Sequence, residues 1–242
     1  MAIDITSLQL SEVITAIGGL GTAAFGLLEA LKPLFGSINR MGLPHIQDTI
    51  SSLTPKQTGD GLPPDPLNAL PQKNILATIE ANWVNGADLA AQKAIAKSLI
   101  KFHLSPGTAE AVAGNINIDP AALRSIAVKT LAGTPLAQAE SDVFSRFDLI
   151  VTAMLDEAYQ LSDQVYRNGT RTLAAVLAIL LALAGVVSME GRMIFQHGHL
   201  HDLALAFLVG LLATPLAPIA KDISSALSTA VNTMQSVKKV IS

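Results

Sequence analysis

Apolar and polar positions alternate along this chain in three distinct rhythms. Residues 172–189, TLAAVLAILLALAGVVSM, run for eighteen positions without a charge, closed by Arg171 and Glu190. As a helix they make a rod of roughly 27 Å, close to the hydrocarbon thickness of a bilayer. Leu173, Val176, Leu177, Ile179, Leu180, Leu181, Leu183, Val186 and Val187 cover every side of that rod. A helix apolar all round is either a membrane span or the centre of a large soluble bundle. The pattern predicts a membrane span. Residues 203–220, LALAFLVGLLATPLAPIA, form a second such run, with Pro215 and Pro218 in its last third and Lys221 closing it. Prolines are tolerated there because neighbouring helices re-satisfy the freed carbonyls.

Residues 13–28, VITAIGGLGTAAFGLL, are uncharged but of another composition, with Gly18, Gly19, Gly21 and Gly26 among Ala and Thr. Gly18, Thr22 and Gly26 fall four apart, as do Thr15, Gly19 and Ala23. Small residues at that spacing let two helix backbones approach closely inside lipid. Those six residues are the candidate oligomer or pore-lining face. A Gly-rich helix buried in a soluble bundle is the plainer alternative.

The second rhythm is amphipathic. Residues 74–133 read as short helices: 74–82 around Ile75, Ile79 and Trp83; 87–103 with Leu89, Ile95 and Leu99 near one face; one opening at Ser105-Pro106 and ended by Gly114-Asn115; and one from Asp119-Pro120, an N-cap and first-position proline, to Gly133. Lys93, Lys97 and Lys101 stand in a row four apart on another face of the second helix. About 60 such residues make a domain that is marginal alone. Thr134-Pro135 starts a longer helix whose stripe is Leu136, Val143, Phe147, Ile150, Met154, Ala158, Leu161 and Val165, and it either kinks at Asn168-Gly169 or continues into the span. The tail after Lys221 keeps Ile223, Leu227, Val231, Met234 and Val237 on one seam.

The third rhythm is broken. Pro33, Gly36, Gly42 and Pro44 interrupt the chain early, and Thr54 to Gln72 holds five prolines and two glycines, which reads as a loop or linker. The expected organisation is therefore a Gly-rich transmembrane helix (1–36), a Pro-rich loop (37–73), a small helical cytoplasmic domain (74–133), and a final region (134–242) holding a long amphipathic helix, a transmembrane hairpin and a C-terminal amphipathic helix. The fold class is all-α, an integral membrane protein with about three transmembrane helices.

Composition sharpens this picture. Half of the residues are hydrophobic and 14% are charged, against roughly 25% charged in an average soluble protein. A net charge of −3 gives no reason to expect nucleic acid as a partner. Without cysteine there is no disulfide, thiol catalysis, iron–sulfur cluster or Cys-based zinc site. No basic residue precedes Lys32, so a secretory signal is not expected. Fifteen of the sixteen Lys and Arg fall on one side of the three spans and only Arg192 on the other. The positive-inside rule then places the N-terminus outside and the main domain and C-terminus in the cytoplasm.

Candidate chemistry is sparse. His197, His199 and His201 form HGHLH beside Asp202. If that segment is extended they share a face that could bind zinc or nickel, and otherwise they are polar residues on an interfacial turn. Asp156, Glu157 and Asp163 could pair for acid–base work, or simply face water on a helix. No phosphate loop or nucleophile motif occurs, and GGLG at 18–21 lacks a preceding strand. Asn168-Gly169-Thr170 matches a glycosylation acceptor but abuts a span on the cytoplasmic side. No ionisable residue lies within the spans, which argues against a proton-coupled pump. No cofactor and no catalytic residue are expected.

GLLATPLAP followed by IAKDISSAL, with Ala217-Pro218, Asp222 and Leu227, resembles the C-terminal signature of an uncharacterised bacterial inner-membrane family. The acidic helix entering its penultimate span in that family is similar to residues 147–177 here. Ile219, Ala220 and Lys221 stand where the family usually has aromatic residues. The resemblance implies architecture only, and no activity. The expected function is a non-enzymatic homo-oligomeric membrane assembly or scaffold, whose partners are the bilayer and further copies of the chain. A passive pore lined by the Gly-rich span and a soluble helical bundle are the alternatives.

Overall fold

The computed structural model describes residues 7–55, 71–190 and 201–218. Every regular element among the described residues is a helix: α1 (Ser7–Leu31), α2 (Gly36–Asn39), α3 (Leu43–Leu53), α4 (Gln72–Val84), α5 (Leu89–His103), α6 (Ala109–Ile116), α7 (Pro120–Ala132), α8 (Gln138–Glu190) and α9 (His201–Pro218). Helices α1, α8 and α9 each contain a stretch long and apolar enough to cross a membrane. The chain divides into two compact units. One is Asn39–Arg167; the other combines Met1–Ile38 with Asn168–Ser242.

In the 39–167 unit the helix boundaries follow local chemistry. Asp88 caps α5 by accepting from the backbone N–H of Ala90 and Ala91. Asp119 does the same for Ala121, with Pro120 at the first position of α7. Gly133 closes α7 at φ 66°, the left-handed region that costs glycine little. α6 runs past Gly114-Asn115 to Ile116 and ends on Asn117, also left-handed at φ 54°. α8 begins at Gln138, three residues beyond Pro135.

The stretch 37–73, expected as a loop, carries helix α3. Pro44 lies in its first turn, where the missing N–H is no loss, and Leu43, Ile46, Ile50 and Leu53 form one buried face. Those four join Ile75, Ile79, Ile100, Val112, Leu123 and Phe147 in a single core. The remaining faces also differ from the sequence pattern. α5 buries Gln92, Ala96, Ile100 and His103, with Leu89 exposed. α8 buries Phe147, Val151, Leu155, Ala158, Tyr159 and Ser162, while Leu161 and Val165 face outward. Burial thus selects the row nearest the core, and the larger aliphatic side chains one position away stay on its flank.

The lysine row of α5 meets acidic residues of α8. Lys93 Nζ lies 2.6 Å from Asp156 Oδ1 and Lys97 Nζ 2.5 Å from Asp148 Oδ2, and Lys101 also pairs with Asp148. Partly exposed pairs of this kind contribute about 0.2–1 kcal/mol each, so they set the register of the two helices more than their stability.

α8 passes through Asn168-Gly169 without a break.

Candidate functional site

The second unit is built from α1, α9 and residues 168–190 of α8, and small residues decide how these pack. A Cβ added to Gly21 would lie 2.0 Å from the carbonyl oxygen of Ala213, so α1 and α9 touch backbone to backbone there. A Cβ on Gly210 would lie 2.5 Å from Cα of Ile179, and α9 meets α8 in the same manner. Ala24, Ala178 and Ala213 form the buried centre, and Leu28, Ile38 and Ala174 a second buried cluster. Close approach of this kind through glycine and alanine is how helices gain packing energy where, as in lipid, burying apolar surface gives none.

That packing sorts the six small residues of α1. At 100° per residue, Ile17, Gly18, Gly21, Ala24, Phe25 and Leu28 share one face, which is the buried or half-buried one. Gly18 therefore faces inward. Thr15, Gly19, Thr22, Ala23 and Gly26 share the opposite face and are exposed. A Cβ on Gly19 or Gly26 would meet no atom within 4 Å. The Thr22 hydroxyl donates to the Gly18 carbonyl at 3.0 Å, which satisfies it within its own helix. Gly21, Gly210 and Ala213, the residues of closest approach, escape the four-residue spacing. Their signal is a spacing of three, Gly18 to Gly21 and Gly210 to Ala213.

The large side chains point the other way. Val176, Leu180 and Val187 of α8 and Leu205, Leu208 and Leu211 of α9 are each about half exposed. Only 11–22% of the most apolar window in each of the three long helices is buried. An apolar cleft of about 540 Å³ runs between α1, α8 and α9, lined by Leu20, Ala182, Val186, Leu205 and Val209, with Asp202 at its edge.

The candidate chemical groups do not converge on one site. His201 opens α9, its Nδ1 3.7 Å from Asp202 Oδ1; His197 and His199 lie outside the described residues. No group of three metal-ligating side chains occurs among the described residues. Asp156 is held by Lys93, and Asp163 by Arg167 at 2.8 Å. Burial would raise the pKa of Asp148, but hydrogen bonds and charge from Lys101 and Lys97 outweigh it and hold the carboxyl below its usual value. Glu140 is held down to about 2 by Lys129, the Ala137 N–H and the Ser125 hydroxyl. Glu140 and Asp148 are thus anchored as anions by lysines, an arrangement that fixes helices and offers little to proton transfer.

Neither known protein families, nor characterised proteins, nor solved structures give a match to this chain.

Proposed function

We propose that this chain is a non-enzymatic integral membrane protein that associates with copies of itself into a scaffold-like assembly. The observation that carries this reading is the outward-facing apolar surface of α1, α8 and α9. Exposed apolar patches beyond a few hundred Å² are rare on soluble monomers and mark contact with lipid or protein. Lipid accounts for the leucines and valines, since hydrocarbon is their solvent. It does not account for the glycines: Gly19 and Gly26 weaken α1 and fill no contact within the protomer. A second copy packed on Thr15, Gly19, Ala23 and Gly26 gives those positions a purpose.

The resemblance at the C-terminal third supports a bacterial inner-membrane location, and the distribution of basic residues supports an N-terminus outside with the 39–167 unit and C-terminus cytoplasmic.

Two measurements test this. The protein should remain in vesicles after washing with alkaline carbonate, and release would end the membrane reading. In detergent, light scattering should give a mass several times that of one chain, and Gly19→Leu with Ala23→Leu should reduce it to the monomer. A monomeric wild type would overturn self-assembly and leave the membrane reading standing.

A further inference from the structure

The 39–167 unit holds a cleft of about 180 Å³ beside the single tryptophan, walled by Asn39, Trp83, Gly86, Gln92, Asp163 and Tyr166 among others. Trp83 and Tyr166 meet edge to face, with ring centroids 6.1 Å apart. Among the described residues Asp163 is the one charged group on the wall.

Hydrogen-bond accounting shows which ligand chemistry suits it. The Trp83 indole N–H donates to the Asn39 carbonyl at 3.0 Å, and the Gln92 amide nitrogen donates to the Ala87 carbonyl at 2.6 Å. The Ala87 bond also fixes the amide's orientation, since a reversed side chain would set oxygen against oxygen. Gln92 is 2% exposed, and its Oε1 accepts no hydrogen bond from the described residues. The indole N–H is thus spent and one of the two Gln92 amide N–H groups is taken, while a carboxylate and two aromatic rings border the space. An anion would meet Asp163, with no cation among the described residues that line the cleft. A metal ion needs several oxygen ligands, and one carboxylate between aromatic rings does not supply them. An organic ammonium ion suits both the charge and the aromatic lining. The exposed Arg167 partner of Asp163 is screened by water and competes weakly. The volume lies below the roughly 300–1,000 Å³ of drug-sized sites, which limits the ligand to a small head.

We propose that this cleft binds a small organic ammonium group, primary or N-methylated. A free amine and a phospholipid headgroup carry the same chemistry. The inference rests on the 39–167 unit alone and is independent of self-assembly.

Trp83 supplies the readout, being the sole tryptophan. The full-length protein in a maltoside detergent is titrated with ethylammonium chloride and with choline chloride, against potassium chloride at equal ionic strength. A saturable change in tryptophan emission is expected with an organic cation and not with potassium. Asp163→Asn should raise the midpoint about tenfold or more, a loss of about 1.4 kcal/mol. Tyr166→Leu should also raise it, which keeps the test open if the first variant fails to fold by circular dichroism. Reconstitution into phosphatidylglycerol vesicles with or without phosphatidylethanolamine separates the sources. A change on adding the ethanolamine lipid alone assigns the headgroup, and a change with free ethylammonium assigns the soluble amine. If neither produces a change, if potassium reproduces it, or if folded Asp163→Asn keeps the wild-type midpoint, the proposal is overturned.

Discussion

The Ser162 hydroxyl donates to the Gly42 carbonyl at 2.8 Å, joining residues 120 positions apart in the sequence. The approach is closer than that bond alone requires. Gly42 sits at φ 83°, and a Cβ on it would lie 2.2 Å from the Ser162 carbonyl oxygen. Helix α3 therefore starts where it does because residue 42 has no side chain. Gly42→Ala combines a left-handed backbone with a backbone overlap and should cost about 3 kcal/mol or more. Ser162→Ala should cost only about 1 kcal/mol, since the Gly42 carbonyl keeps the His45 N–H as a second donor. Thermal melts of the two variants check the order; equal losses would contradict it.

The glycines of the unit built from α1, α9 and the end of α8 divide into two kinds. Gly21→Ala and Gly210→Ala push a methyl group into the Ala213 and Ile179 backbones and should lower the melting temperature in detergent. Gly19→Ala and Gly26→Ala meet open space, and each should leave the protomer equally stable or raise helix stability by up to about 1 kcal/mol. Their effect should instead be read in the mass of the assembly. A destabilised Gly19→Ala monomer would show that this face is packed within the protomer.

Acid should loosen the junction of α7 and α8. The Glu140 carboxyl, ordinarily near 4.5, is held to about 2 in the folded chain. A depressed carboxylate contributes stability above its unfolded pKa and loses it as pH falls through the folded one. Its contribution should be complete above about pH 4.5 and should vanish towards pH 2. Glu140→Gln should flatten the stability profile across that window, as followed by denaturant titration at successive pH values.

Tyr159 is 1% exposed, and its hydroxyl makes no hydrogen bond among the described residues. Burial pushes its pKa up to about 12. Removing an unpartnered buried hydroxyl while keeping the ring, which packs 6.5 Å from Trp83, is close to neutral or stabilising. Tyr159→Phe should change stability by less than about 1 kcal/mol, whereas Tyr159→Ala should cost about 3–5. Denaturant midpoints of the two variants measure the difference.

Much of the architecture is legible in the chain. The uncharged run at 172–189 needs no tertiary context to be recognised, and Asp119-Pro120 with Gly133 marks both ends of α7 by local chemistry alone. Two things are not legible. Pro44 reads equally as a breaker and as a first-turn residue, and only the core beneath α3 decides between them. A spacing of four leaves the side taken by Gly18 open, because it describes both sides of a helix and only packing against α8 and α9 settles which side of α1 is covered. The lysine row of α5 is visible, but its partners Asp148 and Asp156 are 47 or more residues away, beyond the reach of any local pattern.

The 39–167 unit takes all of its core from one uninterrupted stretch of chain. Translation therefore delivers every residue of that core before the leucine–alanine segment at 172–189 leaves the ribosome. That unit can thus close around Ile46, Ile100 and Phe147 while the later hairpin is still being synthesised, with only the Gly-rich helix α1 ahead of it in time.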